Sequence, residues 1–150
     1  MDIKIEGAPL KLLNEIYEVE KQCFNKGAFP KPLIAALIGD YNSVSLIARV
    51  DGEIAGFIIC RMDIERKMTV GHILTIDIAP PHQRKGIAQK LLTEIEAILK
   101  QKGAQKCRLE VREDNAAALS LYQKLGYKKI AILDHYYGET HGLYLRKTLT

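Results

Sequence analysis

The segment Ile76–Leu92 constrains this chain more than any other. An apolar strand (Thr69–Ala79) runs through Pro80-Pro81 into Gln83-Arg84-Lys85-Gly86-Ile87-Ala88 and then into a helix. In a strand–loop–helix unit the backbone N–H groups of the first helical turn have no intrahelical partner, and the helix dipole adds partial positive charge there. Gly86 lets an anion approach the backbone, Ala88 keeps the wall low, and Arg84 and Lys85 add full charge. The pattern lacks the Gly-Lys-Ser/Thr ending of a Walker loop and is not G-x-G-x-x-G. Taken alone it is either a phosphate site or an ordinary basic turn between a strand and a helix.

The elements around it follow from periodicity and punctuation. Ile3 and Ile5 alternate with polar residues, as in a short strand. Pro9 opens a helical pattern through Leu10, Leu13, Ile16 and Tyr17 that Gly27 breaks, and Pro30 and Pro32 start a second helix that ends at Gly39. Val44–Val50 and Glu53–Met62 flank Asp51-Gly52, a strong hairpin signal. Gly86–Lys102 is an amphipathic helix closed by Gly103, Lys106–Val111 a strand, and Asp114-Asn115 the start of a helix closed by Gly126. Tyr127–Leu133 and Gly142–Thr148 read as strands around a tyrosine-rich loop. The order β-α-α-β-β-β-α-β-α-β-β predicts a mixed α/β (α+β) sheet with helices packed against it, one domain over residues 1–150.

Composition narrows the function classes. The net charge of +4 suits either a plain solvated surface or a site for a polyanionic ligand, and no aromatic-basic stripe points to nucleic acid. No apolar run is long enough for a membrane span, and Met1-Asp2-Ile3-Lys4-Ile5-Glu6 does not resemble a signal peptide. Cys23, Cys60 and Cys107 are widely spaced, which argues against a zinc site and for a reduced, cytoplasmic setting.

A second segment adds a family likeness. Leu109-Glu110-Val111-Arg112 is followed by Asn115-Ala116-Ala117-Ala118 and Leu121-Tyr122. With Gln83-x-x-Gly86-x-Ala88, Gly71-His72-Ile73-Leu74-Thr75 and Asp134-His135-Tyr136-Tyr137-Gly138, it resembles the GNAT acetyltransferases, and among them the RimI/Ard1-like protein Nα-acetyltransferases. The likeness spans nearly the whole chain. It implies the GNAT fold, a mostly antiparallel sheet of about seven strands with four helices and splayed central strands. It also implies acetyl-CoA as acetyl donor, coenzyme A as product, and the N-terminal α-amine of proteins or peptides as acceptor, by direct attack in a ternary complex. Ribosomal proteins are among the substrates it brings to mind, and a monomer or weak homodimer is expected, with neither nucleic acid nor membrane as partner.

The same likeness assigns residues. The backbone of Ile76, Asp77 and Ile78 would pair with the pantetheine arm. Gln83, Arg84, Lys85, Gly86, Ile87, Ala88 and Gln89 would take the pyrophosphate, with Asn115, Tyr122 and Lys124 completing the donor site. Glu110 is the expected general base, through water, and His72 its rival; Tyr122 is the expected general acid. Phe24, Phe29, Tyr136 and Tyr137 would wall the peptide groove, with Glu20 toward the substrate amine and His72 also among the substrate-binding residues. Lys31 stands where RimI-like members carry a tryptophan, so the first pocket differs there. An α-amine titrates near pH 7.7–8.0 and a lysine near 10.4, a gap of about 3.5 kcal/mol that favours the α-amine. A small amine or a lysine as acceptor, and a non-catalytic acyl-CoA-binding module, are the competing readings.

Overall fold

The computed structural model describes residues 2–24 and 27–149. Its strands are β1 (Ile3–Gly7), β2 (Ser43–Val50), β3 (Glu53–Glu65), β4 (Met68–Ile78), β5 (Lys106–Arg112), β6 (Lys128–Tyr137) and β7 (Thr140–Thr148). The α-helices are α1 (Leu13–Cys23), α2 (Lys31–Gly39), α3 (Ile87–Gln101) and α4 (Ala116–Lys124), with short 3-10 turns at Leu10–Leu12 and Pro80–His82. The element order is the one expected from sequence.

The strands form one sheet in the order β1-β2-β3-β4-β5-β7-β6. Every neighbouring pair is antiparallel except β4 and β5. Side chains alternate between the faces of a strand, so β2 and β3 feed two cores. Leu46, Ala48, Ile58 and Cys60 meet the stripe Ile87, Leu91, Leu92, Ile95 and Leu99 of α3. Ile47, Phe57 and Ile59 meet Ile16 and Val19 of α1 and Ile34 of α2 on the other face.

Two strands, β3 and β6, run well past their expected ends. β3 continues beyond Met62, because Glu65 pairs with Met68 around a two-residue turn. That turn is Arg66-Lys67, with φ of 51° and 65°, a left-handed pair built without glycine. Tyr136 and Tyr137 lie in the last residues of β6, not in a loop; Tyr137 pairs with Thr140 across Gly138-Glu139. The register of β6 shifts between Leu133 and Tyr137, and His135 takes φ of 53°, so the strand bends where alternation alone would end it.

Candidate active site

β4 and β5 pair only at Val70, Gly71 and His72 with Lys106, Cys107 and Arg108. Past that point the two strands part, and β4 has a free edge. Ala79 N–H donates to Ala55 O on β3 at 2.8 Å. Hydrogen-bonded and non-hydrogen-bonded pairs alternate along an antiparallel ladder, so the N–H and C=O of Ile78 and of Ile76 point away from β3, into the gap. Ile78 C=O is already held there by Gln83 Nε2 at 2.9 Å and by Cys23 Sγ–H at 3.2 Å. Gly56 permits the close β3–β4 contact, since a Cβ there would stand 2.5 Å from Asp77 O.

At the end of that edge lies the start of α3. Its N-cap, Gly86, makes no side-chain cap bond and has φ of 81°; Arg84, two residues earlier, is also left-handed at 63°. Left-handed residues in such a loop turn successive N–H groups to one side, a concave anion cradle. A Cβ on Gly86 would meet nothing within 4 Å, so the cradle is open. Arg84 and Lys85 are exposed beside it. Lys124 Nζ donates to Gln89 Oε1 at 3.1 Å, bringing the end of α4 to the start of α3. Asn115 caps α4 through Oδ1, which accepts from Ala118 N–H at 3.1 Å. The free strand edge, the open cradle and its cations fit a long polar chain ending in a diphosphate.

Glu110 and His72 face each other across the mouth of the gap. His72 Nε2 and Glu110 Oε1 are 2.7 Å apart, and Arg108 Nη1 donates to Glu110 Oε2 at 3.2 Å. The Glu110 side chain keeps only 15% of its exposure. Burial works to raise its pKa, but the His72 and Arg108 contacts outweigh that and hold the carboxyl below its ordinary range. Arg108 is in turn held by Glu65 Oε2 at 2.7 Å. Arg112, two residues further along β5, binds Asp114 and not Glu110.

Tyr122 projects from α4 into the same core, 5% exposed, its ring edge-on to Tyr127 at 5.5 Å. Burial pushes its phenol well above the ordinary value, with Tyr137 and Asp77 close enough to add to the shift. Tyr137 is pushed up to about 12 by burial, with Tyr136 and Glu110 contributing. The charge of Asp77 thus reaches the Tyr122 phenol, and that of Glu110 the Tyr137 phenol. Tyr136 and Tyr137 pack edge to face at 4.9 Å, and Arg112 lies over the Tyr137 ring at 5.6 Å.

Two aromatic residues, Phe24 and Phe29, lie between α1 and α2. Phe24 is exposed and Phe29 half-buried. Glu20 is only 2% exposed, and its Oε2 accepts from Phe29 N–H at 2.9 Å. That position leaves it no free surface for a substrate amine; its carboxylate holds the loop. Two groups escaped the reading from sequence. Alternation along β5 puts Arg108 on the face of Glu110, a legible sign of their contact. The Asp77 side chain is also 2% exposed, and an aspartate inside Leu74–Ala79 signals a buried group that needs partners.

Residues 13–127 match the Acetyltransferase (GNAT) family. The chain belongs to that family. An N-alpha-acetyltransferase of Sulfurisphaera tokodaii is 28% identical to it, covering 96% of this chain and 91% of its own. The N-terminal acetyltransferase A complex catalytic subunit NAA10 of Arabidopsis thaliana is 30% identical over 98% of this chain and 72% of its own. Among solved structures, the ribosomal-protein-S18-alanine N-acetyltransferase of Escherichia coli shares the fold at a TM-score of 0.90 and 22% identity, covering 99% of this chain and 95% of that one. The seven-stranded mixed sheet with four helices is therefore the GNAT fold, as the sequence motifs implied.

Proposed function

We propose that this acetyltransferase moves an acetyl group from acetyl-CoA to the N-terminal α-amine of proteins or peptides, in a ternary complex. The observation that carries it is the convergence of the free β4 edge, the open α3 cradle and the His72–Glu110 pair on one gap. The S. tokodaii and A. thaliana relatives support the choice of acceptor by their names, N-alpha-acetyltransferase and N-terminal acetyltransferase A catalytic subunit.

Acetyl-CoA supplies the acetyl group as a thioester. The backbone of Ile76 and Ile78 holds the pantetheine, that of Asp77, also expected to do so, being turned to β3, with the N–H of Ile78 facing the thioester oxygen as an oxyanion donor. Residues 83–89 hold the pyrophosphate, with Lys124 beside them. Glu110, ionised at neutral pH by its neighbours, takes the amine proton through water, and His72 is the group to which that proton can pass. The demand is modest, since roughly a tenth of an α-amine is neutral at pH 7. The amine nitrogen bonds to the carbonyl carbon as the carbon–sulfur bond breaks, and Tyr122 donates to the sulfur. Its raised pKa keeps the phenol protonated and makes it a hydrogen-bond donor to sulfur first, releasing its proton only late in the step. Phe24, Phe29, Tyr136 and Tyr137 wall the groove for the first residues of the acceptor.

Short peptides with free and with blocked N-termini, incubated with acetyl-CoA and read by mass, test this directly. Acetylation of free N-termini alone is expected. Modification of lysines in blocked peptides, with free N-termini untouched, would overturn it.

A further inference from the structure

Two carboxyl groups lie in the interior behind the donor site, and among the described residues each has one oxygen without a hydrogen-bond partner. Glu20 reaches down from α1; its Oε2 accepts from Phe29 N–H at 2.9 Å, while Oε1 is buried and unpartnered. Asp77 points inward from β4; its Oδ1 accepts from Thr75 Oγ1–H at 2.7 Å, while Oδ2 is buried and unpartnered. Both residues are 2% exposed, and the two side chains lie within hydrogen-bonding reach of each other. Two ionised carboxylates cannot share such a space, because each repels the other and neither is paid by water. One proton resolves both vacancies, as Asp77 Oδ2–H donating to Glu20 Oε1.

We propose that Glu20 and Asp77 share a single proton, and that this clasp is a positioning device fastening Phe29 to the central strand beside the acetyl-donor site. The surroundings favour it. Thr75 on β4, Cys23 on α1 and Tyr122 on α4 face the pair, together with Phe57 across the β3–β4 ladder; none is a cation able to neutralise a second charge. Cys23, its thiol pushed up to about 12 mainly by burial, stays neutral and donates to Ile78 O. Burial and the Glu20 charge push the Asp77 carboxyl up to about 9, so the proton stays in place through neutral pH. The clasp thus joins two halves of the machinery. The Asp77–Ile78 backbone borders the thioester, and Phe29 borders the acceptor. The positioning role rests on the proposed groove; the shared proton does not.

Infrared spectroscopy and a split of kinetic constants test it. Wild-type protein at pH 7 should show the carbonyl stretch of a protonated carboxylic acid. The band should vanish in Asp77→Asn and fade in wild type as pH rises through about 9. Asp77→Ala should raise the peptide KM by about tenfold and leave the acetyl-CoA KM within about twofold, because a lost donor frees the loop and not the cradle. Asp77→Asn should recover most of that loss, since its amide donates to Glu20 while its oxygen still accepts from Thr75. If Asp77→Ala does not fold, Glu20→Met, which removes the acceptor for Phe29 N–H, takes its place. Absence of the band at pH 7, or an Asn variant as impaired as the Ala variant, would overturn the shared proton. A band that behaves as expected, with the peptide KM unmoved in the Ala and Met variants, would overturn the positioning role and leave acetyl transfer standing.

Discussion

Glu110 and Tyr122 make different demands on their surroundings, and substitutions at the two should read differently. His72 and Arg108 keep Glu110 ionised, so it is available as a proton acceptor at every working pH but is a weak one. Glu110→Gln should lower the rate at pH 7 by roughly a hundredfold, within the usual range for a general base. The deficit should shrink as pH rises past the α-amine pKa of about 8, where the substrate deprotonates unaided. A pH–rate profile parallel to wild type would contradict the base role. Tyr122→Phe keeps the ring against Tyr127 and removes only the hydroxyl. It should lower kcat by about tenfold or more, with acetyl-CoA binding and thermal midpoint close to wild type, since one hydrogen bond to developing charge is worth ~1.5–3 kcal/mol. Equal losses in kcat and in thermal midpoint would instead mark a packing residue.

At the scale of elements, the cradle proposed to receive the donor is a helix start whose last loop residue is left-handed. Gly86 has φ of 81° and open space where a side chain would stand. Gly86→Ala therefore meets no packing clash. It costs about 1–2 kcal/mol of backbone strain and puts a methyl where a diphosphate must approach. The acetyl-CoA KM should rise by about tenfold and the peptide KM stay put, because the strain and the methyl act on the anion cradle alone. This cradle was legible in the sequence, because glycine and a strand–loop–helix pattern mark it locally. The length of β3 was not. Its turn uses Arg66-Lys67, residues that adopt positive φ only because the flanking strands impose it, so no glycine or asparagine signals it. The place of Tyr136 and Tyr137 was hidden for a related reason: a register shift breaks the alternation by which a strand is recognised. Contacts such as His72 with Glu110 join residues 38 apart and depend on how β4 and β5 part, a tertiary fact with no local trace.

For the whole molecule, two carboxyls with opposite shifts, Glu110 half-buried and Asp77 buried, should shape stability against pH. Glu110 has a lowered pKa, so its contribution is present above the unfolded value of 4.5 and is lost as pH falls through the folded one. Asp77 is raised from 3.8 to about 9. Its folded form holds a proton that the unfolded chain has released, so its contribution is full below 3.8 and drains away as pH rises toward about 9. The two limbs meet between pH 3.8 and 4.5, and the thermal midpoint should be highest there and decline toward pH 9. Asp77→Asn needs no proton in either state, so the alkaline decline should flatten. The variant should be more stable than wild type at pH 8, with the difference closing toward pH 4. Glu110→Gln should flatten the acid limb and leave the alkaline one alone. Melting curves of the three proteins across pH 3–10 separate the contributions. An Asn variant less stable than wild type at pH 8 would mean that Asp77 is ionised in the fold, and the interior charge would then need a cation, whereas Lys21 of α1 and Lys124 of α4 are engaged with Glu18 and Gln89.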